Sequence, residues 1–109
     1  MSGEFAGMLS ERILIEQLSA ERDPGGLQQP IWETVCTCSA SIRLDGVGVK
    51  TTGQALSAMS QYRVTIRRRE GIALDQRITW GTCKMMIRQL LDDPTAKDRI
   101  SMRCEEIRA

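Results

Sequence analysis

Hydrophobic and polar residues alternate with a period of two along much of this chain, which is the pattern of a β-strand with one buried face. The first such run covers residues 12–18, where Ile13 and Ile15 share one face. Residues 23–30 follow and contain two prolines and two glycines, which favour turns and irregular backbone. We therefore predict a first strand over 12–18 and a loop over 23–30.

Two longer runs come next. Over residues 32–44 the even positions form one mostly apolar face, made of Trp32, Thr34, Cys36, Cys38, Ala40, Ile42 and Leu44. Residues 62–69 alternate more regularly, with Tyr62, Val64 and Ile66 on the inner face. Both runs predict strands.

Shorter alternating runs separated by turn residues predict three more strands, over residues 77–80, 83–91 and 99–106. Six strands without a long amphipathic helical stretch indicate an all-β fold, a small antiparallel β-barrel or sandwich in a single domain over 1–109. A compact chain of this size has a radius of gyration near ~13 Å. One core is expected, made of Ile13, Ile15, Val64, Ile66, Ile78, Met85, Ile87, Ile100 and Met102.

One long loop is predicted between the second and third strands, over residues 45–61. The segment holds three glycines, Gly46, Gly48 and Gly53, and one cation, Lys50, with few apolar residues. Loops of more than about 12–15 residues are uncommon in compact domains and are often functional. Whether this loop acts or merely connects is left open by the pattern.

Composition restricts the function. The chain is 41% hydrophobic and 27% charged, within the range of globular domains, and it contains no His. Without the usual neutral-pH acid/base group, and without a nucleophile or phosphate-binding motif, we expect no catalytic residues, no cofactor and no enzyme activity. Residues 1–57 carry a net charge of −3 and residues 58–109 a net charge of +4, so a polarised surface is expected.

The four cysteines fall on apolar faces or at strand ends, at Cys36, Cys38, Cys83 and Cys104. Two thiols in a Cys-x-Cys pair project to the same side of a strand, where one metal ion could bridge them. The spacing matches no common zinc pattern, however, and packing in the core is the better interpretation. We expect reduced cysteines and no metal site.

A basic stripe follows the third strand, at Arg63, Arg67 and Arg69. Such a stripe suits contact with carboxylates or phosphates, whether on a protein or on a nucleic acid. A small oligonucleotide-binding β-barrel is therefore an alternative function, although the few aromatic residues, which stacking requires, lie on apolar faces. No secretory signal and no membrane-spanning stretch is visible, so synthesis in a cytosol and no membrane partner are expected.

The succession of features resembles a known family: the small head-tail connector proteins of long-tailed phages and gene transfer agents, also called head-tail joining, head-completion or stopper proteins. The similarity covers residues 10–106 in order and spacing. It rests on the opening Arg12-Ile-Leu-Ile-Glu strand, Asp23-Pro-Gly-Gly26, Trp32, the long loop, the strand from Tyr62 to Arg67, Arg77-Ile78, Gly81, Lys84-Met-Met-Ile-Arg and the closing strand Arg99 to Glu106.

This resemblance implies a small β-barrel with one long loop, a virion protein that is synthesised in the bacterial cytoplasm and lies in the neck of a phage-like particle. Its subunits would form a homo-oligomeric ring, a hexamer or a dodecamer, between a portal or adaptor protein and a tail terminator or tail tube protein. The ring would surround the channel for packaged double-stranded DNA, and the long loop with Gly46, Gly48, Lys50 and Gly53 would gate it. Cys38 and the pair Met85/Met86 stand where the family more often has aromatic residues, so the resemblance implies the fold but does not assign the interface residues.

Overall fold

Six antiparallel strands close into a barrel in the computed structural model, which describes residues 7–22, 28–52 and 55–107. Around the barrel the strands follow the order β1-β2-β3-β6-β5-β4, and β4 pairs with β1. The strands are β1 (Glu11–Arg22), β2 (Gln28–Thr52), β3 (Ala55–Arg67), β4 (Arg77–Trp80), β5 (Cys83–Leu91) and β6 (Arg99–Glu106). The predicted all-β class and six-stranded barrel are confirmed.

The predicted core is also confirmed. All nine expected residues are buried in one cluster, and each is at most 8% exposed. Cys36, Ala40 and Cys104 complete this cluster. The inward positions of β3 show why alternation identified it: Val64 faces Ile42 of β2 and Met102 of β6 in the strand register.

The predicted apolar face of β2 is correct only in its centre. At one end, a bulge in the β1–β2 pairing at Ile15/Glu16 shifts the alternation, and Trp32 lies under the guanidinium of Arg77 instead of in the core. At the other end Leu44, the last β2 residue before the bulge at the end of the barrel, is 64% exposed. Bulges and strand overhang leave no signal in a period-two pattern.

The predicted loop over 45–61 is wrong for the described residues. Instead, β2 and β3 continue as an antiparallel hairpin, in register from Gly46↔Gln61 to Thr52↔Ala55. Glycines and hydroxyl residues suggested a loop, but two strands that pair mainly with each other satisfy half of their backbone groups by that pairing, and the outward groups can bond to water. We call this segment, residues 45–61, the hairpin extension; Gly53 lies outside the described residues.

Other boundaries moved less. The expected loop over 23–30 is shorter, since β1 reaches Arg22 and β2 begins at Gln28, and Pro30 pairs with Ala20. Residues 23–27 lie outside the described residues. The third strand ends at Arg67 instead of residue 69, while 77–80, 83–91 and 99–106 match the structure.

The molecule is more elongated than a compact chain of its length. Its radius of gyration is 15.8 Å, against the ~13 Å expected. From the Leu44/Tyr62 pair to the end of β2, the hairpin extension adds about 25 Å at roughly 3.3 Å per residue. Within the described residues no helix is long and apolar enough to cross a membrane.

Candidate interaction surfaces

A row of three arginines crosses the outer face of the barrel. Arg43 of β2, Arg63 of β3 and Arg103 of β6 are direct neighbours in the strand register. One carboxylate serves two of them: Asp45 Oδ2 lies 2.9 Å from Arg103 Nε and 3.9 Å from Arg63 Nη2. Like charges on opposed positions repel, so an anion beside this row is favourable.

Arg63 and Arg67 share this outer face and lie four residues apart on β3. Between their rows lies Thr65, whose Oγ1 is 2.9 Å from Ser101 Oγ of β6. Arg67 pairs with Arg99 in the register. Arg69 follows the end of β3, so the three predicted basic residues extend from the outer face to the barrel end instead of forming one straight stripe.

Arg68 has a structural role that the sequence did not reveal. Its backbone N–H donates to the Asp98 carbonyl at 3.0 Å, and its guanidinium donates to the Asp92 carboxylate and to the carbonyls of Lys97 and Arg99. The guanidinium lowers the pKa of the Asp92 carboxyl through that hydrogen bond. These partners fix the chain after β3 against the β5–β6 turn.

Beyond this point four arginines line a groove of about 370 Å³ at the end of β3. We call it the arginine groove; its lining residues are Leu9, Arg12, Thr37, Cys38, Ser39, Arg67, Arg68 and Arg69. Arg12 Nη1 donates to Ser39 Oγ at 3.3 Å. None of the described residues that line the groove carries a carboxylate. Asp92, the partner of Arg68, lies outside the lining.

Cys38 and Cys104 are poor nucleophiles at neutral pH, because the pKa of each thiol is raised. Burial, reinforced by Cys36, raises the pKa of Cys38 to about 11, although Arg69 and Arg12 act in the opposite direction. Burial alone raises the pKa of Cys104 to about 12. The deprotonated thiolate is the form that reacts and binds metals. All four cysteines are free, and no metal-binding group of three or more side chains occurs among the described residues.

A second groove, of about 380 Å³, has apolar walls that the sequence pattern did not single out. Leu18 and Leu74, both more than half exposed, line it together with Trp32 and Met86. Arg77 covers the Trp32 ring, with 4.0 Å between the guanidinium carbon and the ring centroid. The bulge in the β1–β2 pairing shifts the alternation at Trp32, and the β3–β4 connection supplies Leu74, so no single alternating run indicated this groove.

Aromatic stacking platforms, which the oligonucleotide-binding alternative needs, are not offered by the described part of the chain. Tyr62 and Trp80 pack edge to face, with ring centroids 6.2 Å apart, against the core. Trp32 is covered by Arg77. The basic outer face therefore carries charge without stacking surfaces.

The candidate channel residues lie in the hairpin extension. Gly46 sits at a bulge with φ of +131°, a conformation that glycine adopts readily. Gly48 pairs with Met59 and Lys50 pairs with Ser57 in the strand register. Gly46, Gly48 and Lys50 are thus brought onto one projecting hairpin.

Comparison with known proteins gives this fold its class. The family model of the phage head completion protein matches residues 6–107, and the chain belongs to this family. It therefore has a structural role in the head-tail region of a phage-type particle. No curated protein is detectably similar to it in sequence.

Two solved structures share the fold. A chain of the virion of a native gene transfer agent particle superposes with a TM-score of 0.70 at 14% identity, covering 92% of this chain and 96% of the other. Protein SF1141 from Shigella flexneri 2a, solved in solution, superposes with a TM-score of 0.69 at 27% identity, covering 92% and 94%. In both comparisons the similarity of fold extends over nearly the whole of the two chains.

Proposed function

We propose that this protein is a ring-forming head-tail connector subunit that joins the portal side of a capsid to the tail and helps to retain the packaged DNA. Its neighbours in the particle would be a portal or adaptor protein on one side and a tail terminator or tail tube protein on the other. Family membership supports the joining role. Such a subunit would need no catalytic activity. It would act by binding its neighbours in the particle and by obstructing the DNA channel.

The observation that carries the retention role is the hairpin extension. It projects about 25 Å beyond the barrel, far enough for copies in a ring to converge on a central channel. Several hairpins meeting at one axis would obstruct a DNA duplex sterically, without contacts to bases. Lys50, near the end of β2, would add attraction to phosphate.

Shortening the hairpin tests this role. Val47 and Ser60 are paired, so residues 48–59 can be replaced by an Asn-Gly turn that continues the same register. The barrel should still fold, because the core cluster of the described residues lies outside the removed segment. We expect particles to assemble with this variant but to lose packaged DNA, measured as nuclease-protected DNA per particle.

Lys50→Gln is the matched control, since it removes the charge and leaves the hairpin length unchanged. It should retain most of the DNA if obstruction is steric. Normal retention by the shortened variant would disprove the gating role and leave the joining role. Failure of either variant to enter particles, while remaining folded, would instead assign the hairpin to assembly.

A further inference from the structure

The arginine groove lies in a fork between two strands. Pairing of β2 with β3 starts at Ala40↔Ile66, and before Ala40 the described part of β2 pairs only with β1. The chain after β3 turns away from β2 and stays with β6, because Arg67 pairs with Arg99 and Arg68 N–H donates to Asp98. The β2 segment 37–39 is therefore an open strand edge along the groove.

An open edge offers backbone hydrogen bonds. Successive residues of a strand direct their N–H and C=O groups to opposite sides, so at least one of Thr37, Cys38 and Ser39 directs both groups into the fork. Three strand residues span about 10 Å, the length of a short extended segment. Exposed edges of this kind accept an added strand unless something covers them.

Charge restricts what can be added. Arg12 stands on the β1 side of the groove and Arg67 and Arg69 stand on the β3 side, while Arg68 is held by Asp92.

The chain that follows β3 is held in place by hydrogen bonds. Gln76, only 3% exposed, donates to the Gly71 carbonyl at 2.7 Å and accepts from Ala73 N–H at 3.0 Å, which holds the β3–β4 connection in place.

We propose that the arginine groove binds an extended, acidic segment of a neighbouring protein in the particle, which pairs with the β2 edge at residues 37–39 and places carboxylates on Arg12 and Arg69. The inference rests on the proposed joining function only for the location of the partner. The recognition itself belongs to the groove.

Two observations favour a peptide over a nucleic acid. A strand edge is complementary to a peptide backbone, which supplies N–H and C=O groups in alternation, and a phosphodiester chain has no such donors. None of the described residues that line the groove is aromatic, so the groove offers bases no surface for stacking.

The test measures binding of a labelled peptide of five Glu-Thr repeats to the isolated protein. A peptide of five Glu-Pro repeats carries the same charge but cannot pair as a strand, and it should bind about tenfold more weakly or less. The double variant Arg12→Gln/Arg69→Gln should weaken binding of the Glu-Thr peptide about tenfold or more. Arg88→Gln, on β5, is the matched control and should change it less than about twofold.

Hydrogen exchange supplies an independent readout, because strand addition should slow exchange of at least one amide among residues 37–39. Equal binding of the two peptides would overturn the proposal, since charge alone would then suffice. Tighter binding of a 20-base-pair DNA duplex at the same arginines would overturn it in favour of phosphate. The shortened hairpin variant should bind the Glu-Thr peptide normally, which separates failure of this proposal from failure of the proposed retention role.

Discussion

At the scale of single residues, the packing of the barrel interior depends on the sizes of neighbouring buried side chains. Ile66 is fully buried and lies between Ala40 of β2 and Ile100 of β6 in the register. The row thus combines one small buried side chain, Ala40, with two large ones, Ile66 and Ile100. Removing atoms from the centre of such a row leaves a cavity, because the neighbouring strands are fixed by their backbone pairing.

Ile66→Ala should accordingly lower the free energy of unfolding by roughly 2–5 kcal/mol. Urea denaturation followed by circular dichroism measures the change. Arg63→Ala is the control on the outer face of the same strand, where the side chain is 45% exposed, and it should cost less than about 1 kcal/mol. Equal effects at the two positions would contradict the assignment of inner and outer faces.

At the scale of strands, the alternation of apolar and polar residues predicted which positions are buried. It could not predict which residues lie side by side on neighbouring strands. The positions of Val64 and Ile66 follow from the period of two alone. The row of Arg43, Arg63 and Arg103 depends on the register of three strands separated by up to 60 residues, which no local pattern encodes. The hairpin extension was missed because its strands have no core to face.

The bulge at Gly46 marks where β2 leaves the barrel. An extra residue there, Asp45, interrupts the pairing between Leu44↔Tyr62 and Gly46↔Gln61. Bulges bend a strand and increase its twist, so this one sets the direction in which the hairpin extension projects. The position of the extension therefore depends on one residue with positive φ.

Gly46→Ala should lower the free energy of unfolding by roughly 1–3 kcal/mol, because a side chain is strained at a φ of +131° although space around it is free. Gly81→Asn is the control: φ is +59° there, a region that Asn tolerates, so a loss below about 1 kcal/mol is expected. Chemical denaturation compares the two. A Gly46→Ala protein as stable as the parent would show that the bulge relaxes without cost.

At the scale of the whole molecule, the barrel depends on a narrow seam. β4 has four residues and pairs with β1 through three positions, Leu14↔Thr79, Ile15↔Ile78 and Glu16↔Arg77. Arg77 reinforces this seam on the outer side. It donates to Glu16 Oε1 from Nη2 at 2.8 Å and from Nε at 3.2 Å, and it lies over the Trp32 ring of β2.

Arg77→Ala should open this seam. The Arg77 and Glu16 side chains are only 19% and 15% exposed, so the change removes a shielded charged hydrogen bond and a cation–π contact and leaves the carboxylate without this partner. We expect a loss of roughly 2–3 kcal/mol in the free energy of unfolding, with faster amide exchange in β4. Arg88→Ala breaks the more exposed ion pair with Asp75 and should cost less than about 1 kcal/mol. If the two variants are equally stable, the contacts of Arg77 with Glu16 and Trp32 do not hold the seam, and interior packing closes the barrel.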